Sequence, residues 1–123
     1  VREALEVARS ATHMIVSVGE GGRDALLTTS GVLDAADLDA LEAAEVVADT
    51  TGKFLRADGT LAPVDLNDRT PAIGLNDMKR AEVTLLAAGT SKARATRALL
   101  RAGLVDRIVV DEALAIILKE DEA

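Results

Sequence analysis

Ala4, Leu5, Ala8 and Ala11 recur at helical spacing through the first twelve residues, the pattern of a helix with one apolar face. The spacing changes at His13-Met-Ile-Val-Ser-Val18, an apolar run closed by Gly19 that predicts a buried strand. Glu20-Gly-Gly-Arg-Asp24 reads as a loop; Gly21, Gly22 and Arg23 could face an anion there, but a loop with one exposed Arg is the simpler account. Asp34 and Asp37 stand three apart ahead of an Ala- and Leu-rich stretch reaching about Ala44, a capping-box arrangement that predicts a helix.

The middle of the chain is less regular. Val46-Val47-Ala48 is a short apolar run, Lys53-Phe-Leu-Arg56 is strand-like, and the turn dipeptide Asp58-Gly59 predicts a reversal. Pro63 and Pro71 bracket Asp65-Leu-Asn-Asp-Arg69, a polar loop with little reason to be buried, in which Asn67-Asp68-Arg69 could present a polar surface to a ligand or, the favoured reading, Arg69 could pair with a carboxylate and order the segment. Regularity returns with Val83–Ala87 as a strand, Gly89-Thr-Ser91 as a turn, and a helix to about Ala102 stopped by Gly103. Arg107–Val110 follows as a strand and residues 111–119 as a helix. Strands alternating with helices predict an α/β fold with a parallel sheet, in which ligands gather beyond the C-terminal strand ends. Gly19, Asp49 and Gly89 to Lys92 are expected at such ends.

Composition narrows the function classes. Phe54 is the single aromatic residue, so the core must be built from Ala, Val, Leu and Ile, which argues against aromatic platforms for stacking bases. A net charge of −7 disfavours nucleic-acid binding by this segment, so any DNA contact must come from elsewhere. With no Cys and one His, neither a disulfide nor a thiolate or His-based metal cluster is expected, which fits a reducing cytoplasm. No apolar run approaches the ~20 residues that span a bilayer, and the N-terminus lacks a signal pattern, so a soluble cytoplasmic protein is expected. A start at Val1, directly in a helix-like segment, is expected of a piece of a longer polypeptide.

Two constellations can carry chemistry. Ala88-Gly-Thr-Ser-Lys92 joins a strand to a helix, so its amides and the helix N-terminus could receive an anion, with Lys92 adding a point charge. It lacks the spacing of a nucleotide-triphosphate loop, and a capped helix start is the plain alternative. Asp49-Thr-Thr-Gly52 puts a carboxylate beside two hydroxyls, a set suited to sugar hydroxyls, or else a simple Asx turn. His13 opens an apolar strand and is expected packed or surface-exposed. Ser30 has neither a Gly-x-Ser-x-Gly context nor a nearby His, so no catalytic set is assigned.

Taken in order, Val47-Ala-Asp-Thr-Thr-Gly-Lys-Phe-Leu-Arg-Ala-Asp-Gly59, Leu66-Asn-Asp-Arg69, Ala88-Gly-Thr-Ser-Lys-Ala93 and Gly103-Leu-Val with Asp111-Glu-Ala113 resemble the sugar-binding domain of the SorC family of bacterial transcriptional regulators. The similarity spans essentially the whole chain, including Ser30-Gly31. It implies a Rossmann-like parallel sheet with flanking helices, similar to sugar-phosphate isomerases and glucosamine phosphate deaminases, that senses a phosphorylated sugar and shifts an oligomeric regulator. The chain would then be the C-terminal portion of that effector domain over residues 1–123, with the DNA-binding helix-turn-helix preceding it and no cofactor. The family's acidic and Lys positions carry over to Asp49 and Lys92, flanked by Thr51 and Gly89. Ala48, Ala88 and Leu55 depart from the family's usual Gly, Gly and Phe, and the family's domain is roughly double this length, with a phosphate loop in its earlier half.

Two alternatives accompany this reading. A sugar-phosphate isomerase would use Asp49 as general base and Lys92 as electrophile. An assembly part would pack its Ala-rich helices on another subunit and leave ligand to the rest of the protein.

Overall fold

Two three-stranded sheets share one continuous stretch of chain. The computed structural model describes residues 1–21 and 31–120. Helix α1 (Arg2–Arg9) leads into β1 (His13–Ser17), and after Val18 alone the chain continues as the short β2 (Gly19–Glu20). Helix α2 (Ala35–Ala43) precedes β3 (Val46–Thr50) and β4 (Lys53–Arg56). Helices α3 (Leu66–Arg69) and α4 (Leu75–Lys79) come before β5 (Glu82–Ala87). A 3-10 turn at Thr90–Lys92 opens α5 (Ala93–Arg101), followed by β6 (Arg107–Val110) and α6 (Glu112–Glu120).

The first sheet is parallel, in the order β1-β5-β6, with Val16 beside Leu85 and Leu85 beside Ile108. One face, carrying Met14, Val16, Val83 and Leu85, joins Ala95, Ala98 and Leu99 of α5 in the main core. Leu85 and Leu99 are fully buried, each worth about 2 kcal/mol of removed apolar surface. This is the expected parallel α/β arrangement with flanking helices. The expectation of a wholly buried β1 does not hold: the strand alternates, and Ile15 is 74% exposed. Leu86 and Val109 share its outward face, and both are exposed. The core also departs from composition alone, since Met14, Met78 and Phe54 are buried while Ile15, Ile108 and Ile116 are not.

The second sheet, in the order β2-β3-β4, is antiparallel. Glu20, expected in a loop, is a strand residue here, pairing with Ala48. The main reversal falls at Thr51-Gly52, both in the left-handed region (φ +53 and +84), as a two-residue hairpin requires. Asp58-Gly59 makes a second, separate turn, with Asp58 Oδ1 accepting from Thr60 N at 2.9 Å and Leu61 bridging back to Leu55. Thr-Gly is a weak local hairpin signal; burial of Val47, Ala48 and Leu55 in the main core fixes the register instead.

Asp65–Arg69 is a helical turn and not an exposed loop. Asn67 is 4% exposed, and its side chain completes the open edge of β4: Oδ1 accepts from Phe54 N at 2.7 Å, while Nδ2 donates to Phe54 O at 3.1 Å and Ala62 O at 2.9 Å. Arg69 does order the segment through carboxylates, at 3.0 Å from Asp65 and 2.8 Å from Asp37. The predicted capping box is present, Asp37 N donating to Asp34 Oδ1 at 2.8 Å. Among the described residues, no helix is long and apolar enough to cross a membrane.

Candidate functional site

The chain turns directly from β1 into β2 at Val18, and this joint gathers the polar groups. Asp49 is paired across the ladder with Gly19 on one side and Phe54 on the other. Its carboxylate lies against the Gly19 backbone, so that a Cβ on Gly19 would stand 2.1 Å from Asp49 Oδ2. Partial burial pushes the Asp49 carboxyl above its ordinary value, and the Lys92 ammonium pulls it back down. Asp49 was expected at the end of a parallel strand; it sits instead within the antiparallel sheet, because the chain crosses from one sheet to the other at Val18. Neither is it a simple Asx turn ahead of a strand, since it lies inside β3.

Lys92 closes the 3-10 turn between β5 and α5, and its Nζ donates to Val18 O at 2.9 Å. Beside it, Ser91 Oγ donates to Glu20 Oε1 at 2.9 Å, so the turn is fastened to the joint at two points. A shallow groove of about 190 Å³ opens next to these contacts, walled by Glu20, Ser91 and Arg94 over Val46 and Val47.

Gly89 adopts φ +93, a conformation that favours glycine. Its N–H donates to both carboxylate oxygens of Asp111 at 3.2 Å, while Asp111 Oδ1 also accepts from Leu114 N at 3.2 Å and so caps α6. The Gly89 amide, expected to await an anion, is therefore engaged by a carboxylate of the same chain. The plain alternative of a side-chain cap also fails, as neither Gly89 nor Lys92 supplies one.

Thr51 lies in the hairpin turn, and its Oγ1 is buried with no hydrogen-bond partner among the described residues. Of the four predicted site residues, Asp49 and Lys92 come together; Gly89 is tied to Asp111, and Thr51 occupies the turn beyond Asp49. Sequence reasoning missed Glu20, whose partner Ser91 lies 71 positions away and leaves no local signal, and Arg94, which lines the groove beside them. Gly22, Arg23 and Ser30 lie outside the described residues. His13 is exposed and pairs with Glu82 at 2.8 Å.

A parallel sheet backed by helices, with polar groups gathered where strands end, is the architecture of an α/β ligand-binding domain. The chain belongs to the sugar-binding domain family, which matches residues 1–118. It is similar to the erythritol catabolism regulatory protein EryD of Brucella abortus (strain 2308), with 30% identity over 101 residues, 82% of this chain and 32% of that protein. Among solved structures it resembles a DeoR family transcriptional regulator from Listeria monocytogenes, at 30% identity and a TM-score of 0.88 over 95% of this chain and 48% of that one. The full-length sorbitol operon regulator SorC from Klebsiella pneumoniae shares the fold, at 20% identity and a TM-score of 0.80 over 95% of this chain and 39% of that one. The chain thus spans about a third of EryD and less than half of these solved regulators. The SorC resemblance read from the four motifs is borne out.

Proposed function

We propose that residues 1–123 form the C-terminal portion of the effector domain of a transcriptional regulator, and that a phosphorylated sugar binds at Asp49, Thr51, Gly89 and Lys92. The observation that carries this reading is that both groups reach the same joint of the fold: the part-buried Asp49 carboxylate lies against Gly19, and Lys92 Nζ donates to the neighbouring Val18 O, near enough for the ammonium to act on the carboxylate's charge. A carboxylate accepts hydrogen bonds from sugar hydroxyls, and an ammonium attracts a phosphate. Thr51 adds an unpartnered hydroxyl, and the Gly89 backbone shapes the turn that presents Lys92.

In the intact protein, ligand would act by differential affinity for two conformations or subunit arrangements. That protein would be a cytoplasmic homo-oligomer that meets DNA through a domain outside this chain. The similarity to regulators favours binding over turnover, and steady product formation from a sugar phosphate would sink the binding-only view.

Isothermal titration with a panel of sugar phosphates, and the unphosphorylated sugars as controls, tests the site. Saturable binding of one phosphorylated sugar, weakened by both Asp49→Ala and Lys92→Ala, is expected. No binding by the folded intact protein, or binding indifferent to both substitutions, would favour the assembly reading, which the exposed face of Ile15, Leu86 and Val109 supports.

A further inference from the structure

At the end of α5 remote from Lys92, a cleft of about 400 Å³ opens between α5, the edge strand β6 and α6. Leu100, Ile108, Ala115 and Leu118 form its apolar floor, and Arg97, Arg101 and Lys119 are the charged residues of its lining. Among the described residues no carboxylate lines it, although the chain as a whole carries a net charge of −7. Ile108 stands beside the core residue Leu85 in the ladder, yet remains 41% exposed because the cleft leaves it uncovered.

The two guanidinium groups are held in place from behind. Arg97 donates to Ile117 O at 3.0 Å, and Arg101 donates to Ala57 O at 2.9 Å. Basic residues near helix C-termini serve in part to offset the helix dipole, which amounts to roughly half a negative charge per helix end. Arg101 and Lys119, in the last turns of α5 and α6, carry two full positive charges, more than the roughly one negative charge of the two helix ends together, and leave a positive field over an apolar floor. A volume of this size lies within the range of small-molecule sites.

We propose that this cleft is a second binding site, distinct from the Asp49–Lys92 site, for a small anionic amphiphile: an apolar aliphatic or aromatic body carrying a carboxylate, sulfonate or phosphate. The body covers Leu100, Ile108 and Leu118, and the anionic group meets Arg101 and Lys119. Charge complementarity selects this occupant over a neutral apolar molecule.

Fluorescence titration with anilinonaphthalene sulfonate, an apolar body bearing one sulfonate, tests the assignment, with its uncharged counterpart phenylnaphthylamine as control. Saturable binding of one sulfonate per chain is expected, with clearly weaker binding of the neutral amine. Arg101→Ala and Lys119→Glu each weaken the sulfonate about three- to fivefold, Ile108→Asp abolishes binding, and Val109→Ser on the opposite face of the sheet changes nothing. Circular dichroism checks that each variant is folded; should Ile108→Asp not fold, the solvent-exposed Lys119→Glu still decides the matter. Equal binding of the neutral amine, indifference to Arg101→Ala and Lys119→Glu, or a self-associated chain that Lys119→Glu dissociates would overturn the proposal, the last by making a second copy the occupant.

Discussion

Gly19 and Asp49 face each other across the β2–β3 ladder, and the missing side chain of the one admits the carboxylate of the other. Gly19→Ala would place a methyl group 2.1 Å from Asp49 Oδ2, so the carboxylate must turn away. We expect this substitution to weaken sugar-phosphate binding by about tenfold or more, a loss near 1.4 kcal/mol. Calorimetry on the folded variant checks it, and undiminished affinity would remove Asp49 from the site.

Burial raises the Asp49 carboxyl above its ordinary value of 3.8 against the opposing pull of Lys92. The unfolded chain therefore releases this proton at lower pH than the folded one. The stabilising contribution is complete below the unfolded value and is lost as pH rises through the folded one. Asp49→Asn removes that loss and should stabilise the protein at neutral pH by less than about 1 kcal/mol after allowance for solvent screening, while abolishing ligand binding. Thermal melts of both forms across the acidic range read the effect; a variant that melts lower at pH 7 would contradict it.

Asn67 is buried and serves three backbone groups, two on Phe54 and one on Ala62. Replacement by Leu strands the Phe54 N–H, while Phe54 O keeps Ala62 N and Ala62 O keeps Val64 N, at a cost of about 1–3 kcal/mol. Urea unfolding should show the midpoint falling sharply, and an unchanged midpoint would mean that other partners take over the edge of β4.

The Asp111 carboxylate occupies the Gly89 N–H and also caps α6. Asp111→Asn keeps an acceptor oxygen for the cap while removing a negative charge beside the turn that presents Lys92. Affinity for a phosphorylated sugar should rise severalfold, with little change for the unphosphorylated sugar. Equal gains for both would place the phosphate away from this turn.

How much was legible follows the range of the interactions involved. The Asp34–Asp37 capping box and the Gly103 stop are settled within four residues, and both are found as read. The β5-turn-α5-β6 run carried its own periodicity and was equally plain. By contrast, the antiparallel sheet depends on β2, two residues long, whose pairing with β3 no local pattern announces. Asn67 looked like a loop residue because its role is to complete a strand edge thirteen positions away. Within the site, motif resemblance singled out Asp49 and Lys92, and the structure brings them together. Occupation of the Gly89 amide by Asp111 spans 22 positions and could not be read from the turn itself.

The joint at Val18 has a mechanical consequence. Two bonds hold the end of the parallel sheet there, from Thr50 Oγ1 to Ser17 O at 2.9 Å and from Lys92 Nζ to Val18 O at 2.9 Å. The second comes from the same ammonium that would greet a phosphate. An anion that drew that ammonium away would release one of these bonds, while Thr50 Oγ1 still held Ser17 O and Ser91 Oγ still held Glu20. Occupancy would then be felt at Val18 as the loss of one hydrogen bond out of several that hold the joint.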